Sequence, residues 1–185
     1  KIDVRIPYEP GGQLGWDYNR VMEETPHDWV LFLDHDVLLA LNPHWYHLCQ
    51  QTIKHHRFGL ATCWTNVNHR GTGQYWELPE GNYTIADHQE IARGIFDEYG
   101  ESVTEIDKAS GFFMLVNKHA WKNVNGFPGK GMFREDWTFC KRLRSKQWPI
   151  LRMDGLYVYH MRKRIDSWIP GEIITKDIKR MEMGK

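Results

Sequence analysis

The hydrophobic positions of this chain fall into short continuous runs that alternate with amphipathic segments. Continuous apolar runs at 29–33, 58–64 and 110–116 predict strands that are buried on both faces of a sheet. Apolar residues at helical spacing predict amphipathic helices, most clearly over 44–55 and 87–99. The alternation of the two patterns predicts an α/β sandwich with a mostly parallel central sheet.

The rest of the chain continues this alternation. Further strands are predicted at 2–8 and, as one or two short strands, within 150–160, and further helices at 16–24, 118–124, 135–144 and 172–183. The 185 residues, 41% of them hydrophobic, suffice for one globular core. We therefore expect a single domain over 1–185, with a basic C-terminal tail from about residue 162.

The composition of the chain bears on its binding partners and on its location in the cell. Lys and Arg together number 24, as do Asp and Glu, so no net field would attract nucleic acid, and none is expected as a partner. The three widely spaced cysteines disfavour a disulfide framework and favour a reducing compartment. Apolar runs fall short of the roughly 18 to 20 residues of a transmembrane helix, and no signal-peptide pattern opens the chain. We expect a cytoplasmic protein without a transmembrane segment.

Two carboxylates, Asp34 and Asp36, follow directly after the apolar run at 29–33. In an extended segment both would point to the same side, and ligands of such sheets gather at the carboxyl ends of the strands. Carboxylate oxygens suit a hard divalent cation, so the pair predicts a Mg²⁺ or Mn²⁺ site that diphosphate oxygens could complete. The competing interpretation is that the acids cap the next segment, since Asp favours turns.

Two further positions carry groups suited to chemistry. Glu135 and Asp136 open a predicted helix, and His160 ends the last predicted strand region. Acids at a helix start also interact favourably with the helix dipole, by roughly 0.3 to 1 kcal/mol, which is a sufficient structural explanation. A single histidine is commonly a hydrogen-bonded structural residue. The combination of the three positions indicates a site more strongly than any one of them.

Four stretches occur in an order that is typical of one enzyme family. They are an opening strand at 4–8, a helix start at 14–19, the D-x-D strand at 32–36, and Ser110-Gly111-Phe112 followed by Gly126-Phe127, Arg134-Glu135-Asp136-Trp137 and Arg142. From about residue 4 to residue 160 the chain resembles a small GT-A glycosyltransferase of the family 2 type, a nucleotide-diphospho-sugar transferase. Leu14 and Tyr18 depart from the usual residues, and the nucleotide-binding half is abbreviated.

The resemblance implies a GT-A-like three-layer α/β/α sandwich and a metal site. Asp36 would bind Mn²⁺ or Mg²⁺ directly, and Asp34 would hold the second side of the cation or contact the nucleoside ribose. His160 resembles the late histidine that supplies another metal ligand in some GT-A enzymes.

The resemblance also implies a donor site. Pro7, Tyr8, Glu9 and Asn19 would hold the nucleobase, and Gly111 would permit close approach of the donor sugar. A UDP-sugar is favoured as the donor, and a GDP-sugar is the alternative.

For the reaction, the resemblance implies an inverting transfer to a hydroxyl of a carbohydrate or another acceptor. Asp136, or with less support Glu135, would be the general base that removes the proton of that hydroxyl. Trp137 could form a platform for an acceptor ring. The irregular segment at 65–79 has no assigned family role, and its environs suggest four residues as pocket lining: Trp64, Asn66, Tyr75 and Trp76.

Two other functions are compatible with the same residues. A metal-dependent nucleotidyltransferase or phosphohydrolase would also use paired carboxylates, but it should carry a phosphate-cradling loop, for which Gly129-Lys130-Gly131 is a weak candidate. A noncatalytic carbohydrate-binding or scaffold protein on the same fold would explain the aromatic loops equally well. Donor hydrolysis or transfer would separate an enzyme from such a protein.

Overall fold

A seven-stranded mixed sheet forms the centre of the protein. The computed structural model describes residues 1–8, 13–68, 72–129 and 135–161. The elements in chain order are β1 (Ile2–Arg5), α1 (Leu14–Glu24), β2 (Trp29–Leu33), β3 (Val37–Leu38), a 3₁₀ turn (Leu39–Leu41), α2 (Trp45–His55), β4 (Leu60–Thr65), α3 (Ile85–Tyr99), β5 (Val103–Glu105), β6 (Phe113–Asn117), α4 (Lys118–Asn123), α5 (Glu135–Ser145) and β7 (Ile150–His160).

The strand order is β1-β2-β6-β4-β7-β3, and β5 pairs with β7. β1 pairs with β2 in parallel, as does β4 with β7, whereas β6 runs antiparallel between β2 and β4. Four strands, β1, β2, β4 and β7, therefore point in one direction and bring their carboxyl ends to the same edge. The mostly parallel α/β sheet is confirmed, with β6 reversed and with β3 and β5 antiparallel to β7.

Alternation along the buried strands produces the two outer layers. Val30 and Phe32 of β2 pack in a core cluster with residues of α1, α4 and α5. Leu31 and Leu33 belong to a second cluster, which contains residues of α2 and, at its edge, Phe96 of α3. Because successive side chains of a strand point to opposite faces, one apolar run supplies both cores. The three-layer arrangement is confirmed.

Local sequence explains where several helices begin. The Thr84 hydroxyl accepts a hydrogen bond from the Asp87 backbone N–H, and the Asp87 carboxylate accepts one from the Thr84 N–H, which together form a capping box at α3. At α4, the Asn117 side chain accepts hydrogen bonds from the backbone N–H groups of His119 and Ala120. These predicted helices are confirmed to within about two residues at each end.

Three details of the predicted elements are wrong. Residues 110–112 form a loop, and β6 begins only at Phe113. The region 150–160 is a single long strand of 11 residues, where one or two short strands are predicted. β3 and β5 were not predicted, because two or three residues carry too little alternation to identify a strand.

Several sequence predictions lie outside the described residues. They concern Glu9, the Lys130-Gly131 part of the weak phosphate-loop candidate, Arg134, the basic tail from 162 and the helix at 172–183. Among the helices of the described residues, none combines the length and the apolar character that a membrane span requires.

Candidate functional site

The two carboxylates after β2 lie in a turn. The Val37 N–H donates to the Asp34 carbonyl over 3.2 Å, which closes the turn and leads into β3. The expectation that extended backbone would place Asp34 and Asp36 on one side is therefore wrong. The turn brings the two carboxylates together instead, and the Asp34 N–H, donating to the Phe112 carbonyl at 3.1 Å, ties its start to the loop before β6.

His160 joins this acid pair from the far end of the chain. β3 pairs antiparallel with β7, so that Val37 lies opposite His160. The His160 Nε2 atom is 3.1 Å from Asp36 Oδ1 and 3.7 Å from Asp34 Oδ2. The hydrogen bond with His160 lowers the pKa of Asp36, which favours its ionised form.

Asn66 holds the His160 backbone in place. The His160 N–H donates to Asn66 Oδ1 at 2.8 Å, and Asn66 Nδ2 donates to the His160 carbonyl at 3.2 Å. The Phe112 ring stacks on the imidazole with centroids 5.7 Å apart. These contacts make His160 a buried and oriented side chain, with 4% of its surface exposed.

The donor set fits a divalent cation. One ligand atom from each of Asp34, Asp36 and His160 lies within 4.8 Å of the other two. Two carboxylate oxygens and an imidazole nitrogen match the preferences of Mn²⁺, and the carboxylates alone match those of Mg²⁺. The sequence analysis suggested Asp34, Asp36 and His160 as ligands of one metal ion, and the tertiary structure places these three side chains next to one another.

Asp136 lies in the first turn of α5. Its Oδ2 accepts a hydrogen bond from the Gly111 N–H at 3.0 Å, and its Oδ1 accepts one from the Trp137 N–H at 2.7 Å. Burial raises the pKa of Asp136, and the two backbone donors oppose that shift. A carboxylate has about four lone-pair sites, so these two bonds leave acceptor capacity for a proton from another group.

One cavity of about 290 Å³ is lined by Asp34, His160 and Asp136, whereas Asp36 is not among its lining residues. Six of its lining residues come from the sequence prediction: Asp34, Gly111, Glu135, Asp136, Trp137 and His160. Six others among the described residues also line it: Leu14, Tyr18, Val67, Asn68, Ser110 and Phe112. The cavity opens at the edge where the carboxyl ends of β2, β4 and β7 meet, which is where ligands of such sheets bind.

The predicted nucleobase residues at the end of β1 lie elsewhere. Tyr8 lines a second cavity of about 330 Å³ together with Arg5, Ile6 and residues of α1. Its backbone N–H donates to Asp17 Oδ2 at 2.8 Å, and 78% of its surface is exposed. Pro7 is half-buried beside it and lines neither cavity. The nucleobase assignment of Pro7 and Tyr8 stays a prediction.

Both the oxygen and the nitrogen of the Asn19 side-chain amide form hydrogen bonds with other residues of the protein. Its Oδ1 accepts hydrogen bonds from Phe127 N–H at 2.8 Å and from Trp121 Nε1 at 2.9 Å. Its Nδ2 donates to the Phe127 carbonyl at 3.0 Å. These bonds connect α1 to the turn at Gly126 and Phe127, a structural task. The cavity lining does not include Asn19, and its nucleotide role stays a prediction.

Sequence reasoning missed Tyr18 as a residue of the site. Its ring packs against Phe32 and Phe127 with centroid distances of 4.8 and 4.7 Å. Burial, together with the nearby charges of Asp34 and Asp136, raises its pKa, so the phenol stays protonated. One feature of the sequence could have indicated this role: Tyr18 departs from the residue that is usual in the family at this position. Asn68 and Ser110 carried no comparable signal.

The two tryptophans that the sequence suggested as pocket lining, Trp64 and Trp76, pack against each other away from the cavity. Trp64 and Trp76 pack edge to face with centroids 5.2 Å apart, and the Arg152 guanidinium lies 3.5 Å from the centroid of the Trp64 ring. Neither tryptophan lines the cavity beside Asp136. Their segments contribute to the site through Asn66 and through Gln74, rather than through aromatic contacts.

The mixed sheet, with a cavity at the carboxyl edge of its strands, is similar to the sheet of GT-A glycosyltransferase structures. A crystal structure of S. aureus TarS residues 1–349 in complex with UDP-GlcNAc is similar, with a TM-score of 0.51, 16% identity, and 91% of this chain and 46% of that chain covered. For a second crystal structure of S. aureus TarS residues 1–349, the TM-score is 0.48 and the identity is 17%, with 80% of this chain and 40% of that chain covered.

The family model described as "Glycosyltransferase like family 2" matches residues 1–170, so the chain belongs to that family. This confirms the resemblance drawn from the motifs. No curated protein sequence matches the chain significantly. The chain spans less than half the length of the two TarS chains.

Proposed function

We propose that this domain transfers a sugar from a UDP-sugar to an acceptor hydroxyl, with inversion and with the help of Mn²⁺ or Mg²⁺. The observation that supports this function best is that Asp136, Asp34 and His160 line one cavity, and that a carboxylate oxygen of Asp36 lies within 4.8 Å of ligand atoms of Asp34 and His160. A general base and a cation site at the same cavity match the two needs of the reaction. The acceptor loses a proton, and the donor loses a diphosphate.

Asp34, Asp36 and His160 would hold the cation. When bound, Mn²⁺ or Mg²⁺ would offset the negative charge that develops on the departing diphosphate. Family membership and the binding of UDP-GlcNAc by S. aureus TarS favour UDP as the nucleotide, and a GDP-sugar is the alternative donor.

Asp136 would act as the general base. Its free lone pairs accept the proton of the acceptor hydroxyl as that oxygen attacks the anomeric carbon. The new bond from carbon to oxygen forms while the bond from the anomeric carbon to the diphosphate breaks, and the nucleoside diphosphate leaves with the electron pair. Attack from the side opposite the leaving group inverts the anomeric centre. Glu135, which also lines the cavity, is the second candidate for the base.

The remaining parts of the proposal concern the acceptor and the setting. Trp137 lines the cavity next to Asp136, and we propose it as a platform for the ring of a carbohydrate or another acceptor. The Lys108 ammonium lies 4.4 Å from the centroid of the Trp137 ring. A single domain and a cytoplasmic location stay predictions from the sequence.

Calorimetric titration of UDP, GDP, CDP and TDP, each with and without Mn²⁺, tests the proposal directly. We expect Mn²⁺-dependent binding of UDP that is lost in Asp36→Ala, because that substitution removes a carboxylate from the cluster. UDP-sugars are then screened for release of UDP.

Asp97→Asn is the matched control, since it removes an exposed acid on α3. It should bind UDP as the unmodified protein does. If no nucleotide binds with Mn²⁺ or Mg²⁺, or if Asp36→Ala binds UDP with unchanged affinity, the proposed donor site is refuted.

A further inference from the structure

The segment Gly73-Gln74-Tyr75-Trp76 places a glutamine in the interior beside the cavity. Gln74 has 0% of its surface exposed. Its backbone is held against the end of β4, because the Thr65 N–H donates to the Gln74 carbonyl at 2.9 Å and the Trp76 N–H donates to the Thr65 carbonyl at 2.9 Å. Burying an amide costs free energy unless its polar atoms form hydrogen bonds, so the partners of the Gln74 amide show which parts of the structure it connects.

The Gln74 amide connects β4 to the loop that precedes β6. Its Nε2 donates to Thr62 Oγ1 at 2.5 Å, and its Oε1 accepts a hydrogen bond from the Ser110 N–H at 2.8 Å. Asn68 Nδ2 also donates to Oε1, at 3.3 Å, and Asn68 Oδ1 accepts a hydrogen bond from the Ser110 hydroxyl at 3.0 Å. The loop is thus held through both the backbone and the side chain of Ser110.

The chemistry of its two neighbours requires an amide at position 74. The Thr62 hydroxyl donates its only proton to the Phe113 carbonyl at 2.8 Å, so it can only accept from Gln74. The Ser110 backbone N–H can only donate. The side chain between them must therefore donate at one end and accept at the other, which an ionised carboxylate or an apolar side chain of similar length cannot do.

The next amide along the chain reaches the proposed base. Ser110 donates to Gln74, and the adjacent Gly111 N–H donates to Asp136 Oδ2 at 3.0 Å. The two successive N–H groups belong to a loop that lies outside the regular pairing of β6, which begins at Phe113. The position of the Gly111 donor therefore depends on what holds Ser110.

We propose that Gln74 is a positioning residue for Asp136, acting through the Ser110–Gly111 loop. This inference rests on the proposed function of Asp136 as the base. Gln74 does not itself line the cavity; it bonds to two residues that do, Asn68 and Ser110. Its effect should consequently fall on the chemical step rather than on donor binding.

Gln74→Met tests the inference, because methionine has a similar length and forms neither bond. We expect kcat for release of UDP from the accepted UDP-sugar to fall about 10- to 100-fold, since a displacement of about 1 Å near reacting groups costs on this scale. The Kd of Mn²⁺ with UDP should stay within about twofold, because the cluster of Asp34, Asp36 and His160 is unchanged. The Gly111 amide should exchange with solvent about tenfold faster, although its own acceptor, Asp136, is retained.

Asn42→Leu is the matched control. Asn42 is a buried amide, 1% exposed, that accepts a hydrogen bond from the His44 N–H and donates one to the Gly155 carbonyl, away from the cavity. Its loss should lower stability without changing kcat or exchange at Gly111. If Gln74→Met does not fold, Thr62→Val and Thr62→Ser replace it. The valine variant should lower kcat and loosen Gly111, whereas the serine variant keeps the hydroxyl and should match the unmodified protein.

Unchanged exchange at Gly111 in Gln74→Met would overturn the inference, as would an unchanged kcat or an equal loss of UDP affinity and kcat. If the unmodified protein releases UDP from no UDP-sugar, the proposed function fails by itself. The exchange rate of Gly111 then still decides whether Gln74 holds the loop.

Discussion

Asn19 offers the sharpest test of a residue for which sequence and structure suggest different roles. The motif resemblance assigns it to the nucleotide, whereas its amide makes three hydrogen bonds to Trp121 and Phe127. Replacement by alanine removes all three bonds. A structural role predicts a loss of stability with unchanged nucleotide affinity, and a binding role predicts the reverse.

The size of the expected loss follows from the partners that are left behind. Trp121 is 8% exposed and Phe127 is 2% exposed, so water cannot readily replace the missing amide. Each lost hydrogen bond is worth about 0.5 to 1.5 kcal/mol, and a buried group left without a partner costs about 1 to 3 kcal/mol. We expect Asn19→Ala to lower the free energy of unfolding by about 3 kcal/mol. For a protein of this size that corresponds to a fall in Tm of about 6 to 12 °C.

Urea unfolding followed by tryptophan fluorescence measures the loss, and calorimetry with UDP and Mn²⁺ measures binding to the folded variant. Asn82→Ala is the control, because Asn82 is exposed, and it should stay within about 0.5 kcal/mol of the unmodified protein. A stability change below about 0.5 kcal/mol for Asn19→Ala, combined with UDP binding weakened more than about tenfold, would refute the structural role and restore the nucleotide assignment.

Three other predictions concern the base and the turn. Asp136→Asn should lower kcat about 10²- to 10⁴-fold with UDP affinity retained, because an amide cannot take the acceptor proton; near-normal turnover would identify another base. Since burial raises the pKa of Asp136 and its ionised form is the active one, kcat should fall on acidification at a pH above the ordinary value of 3.8. A profile of kcat against pH that stays flat down to that value would contradict this. Gly126→Ala should destabilise by about 1 to 3 kcal/mol, because Gly126 has a φ of 71° and an added Cβ would lie 2.6 Å from Asn19 Oδ1. Its control, Gly94→Ala on α3, meets open space and should be neutral or stabilising in thermal unfolding.

Much of the fold could be predicted from the sequence because the responsible forces are local. The apolar run at 29–33 is short and continuous, which favours a strand covered on both faces, and it forms β2 with Val30 and Phe32 on one side and Leu31 and Leu33 on the other. The cap residues at Thr84 and Asn117 mark helix starts through bonds to neighbouring amides.

The members of the site could also be predicted in part. Asp34, Asp36, Asp136 and His160 stand at ends of strands or at a helix start, and parallel strands bring such ends to one edge. Chain order and residue type were sufficient to group them. Neither reveals how the groups meet, which depends on the turn at Asp34 and on the pairing of β3 with β7.

Only the tertiary structure decided the roles of the buried amides. Gln74 pairs with a residue 36 positions away, Asn19 with one 108 positions away, and Asn66 with one 94 positions away. The type of a polar residue states what it can donate and accept, but its partner depends on which distant backbone groups the packed helices and strands leave unpaired. For this protein the sequence determined the layers and the candidate chemistry, and the packing determined which amides hold that chemistry in place.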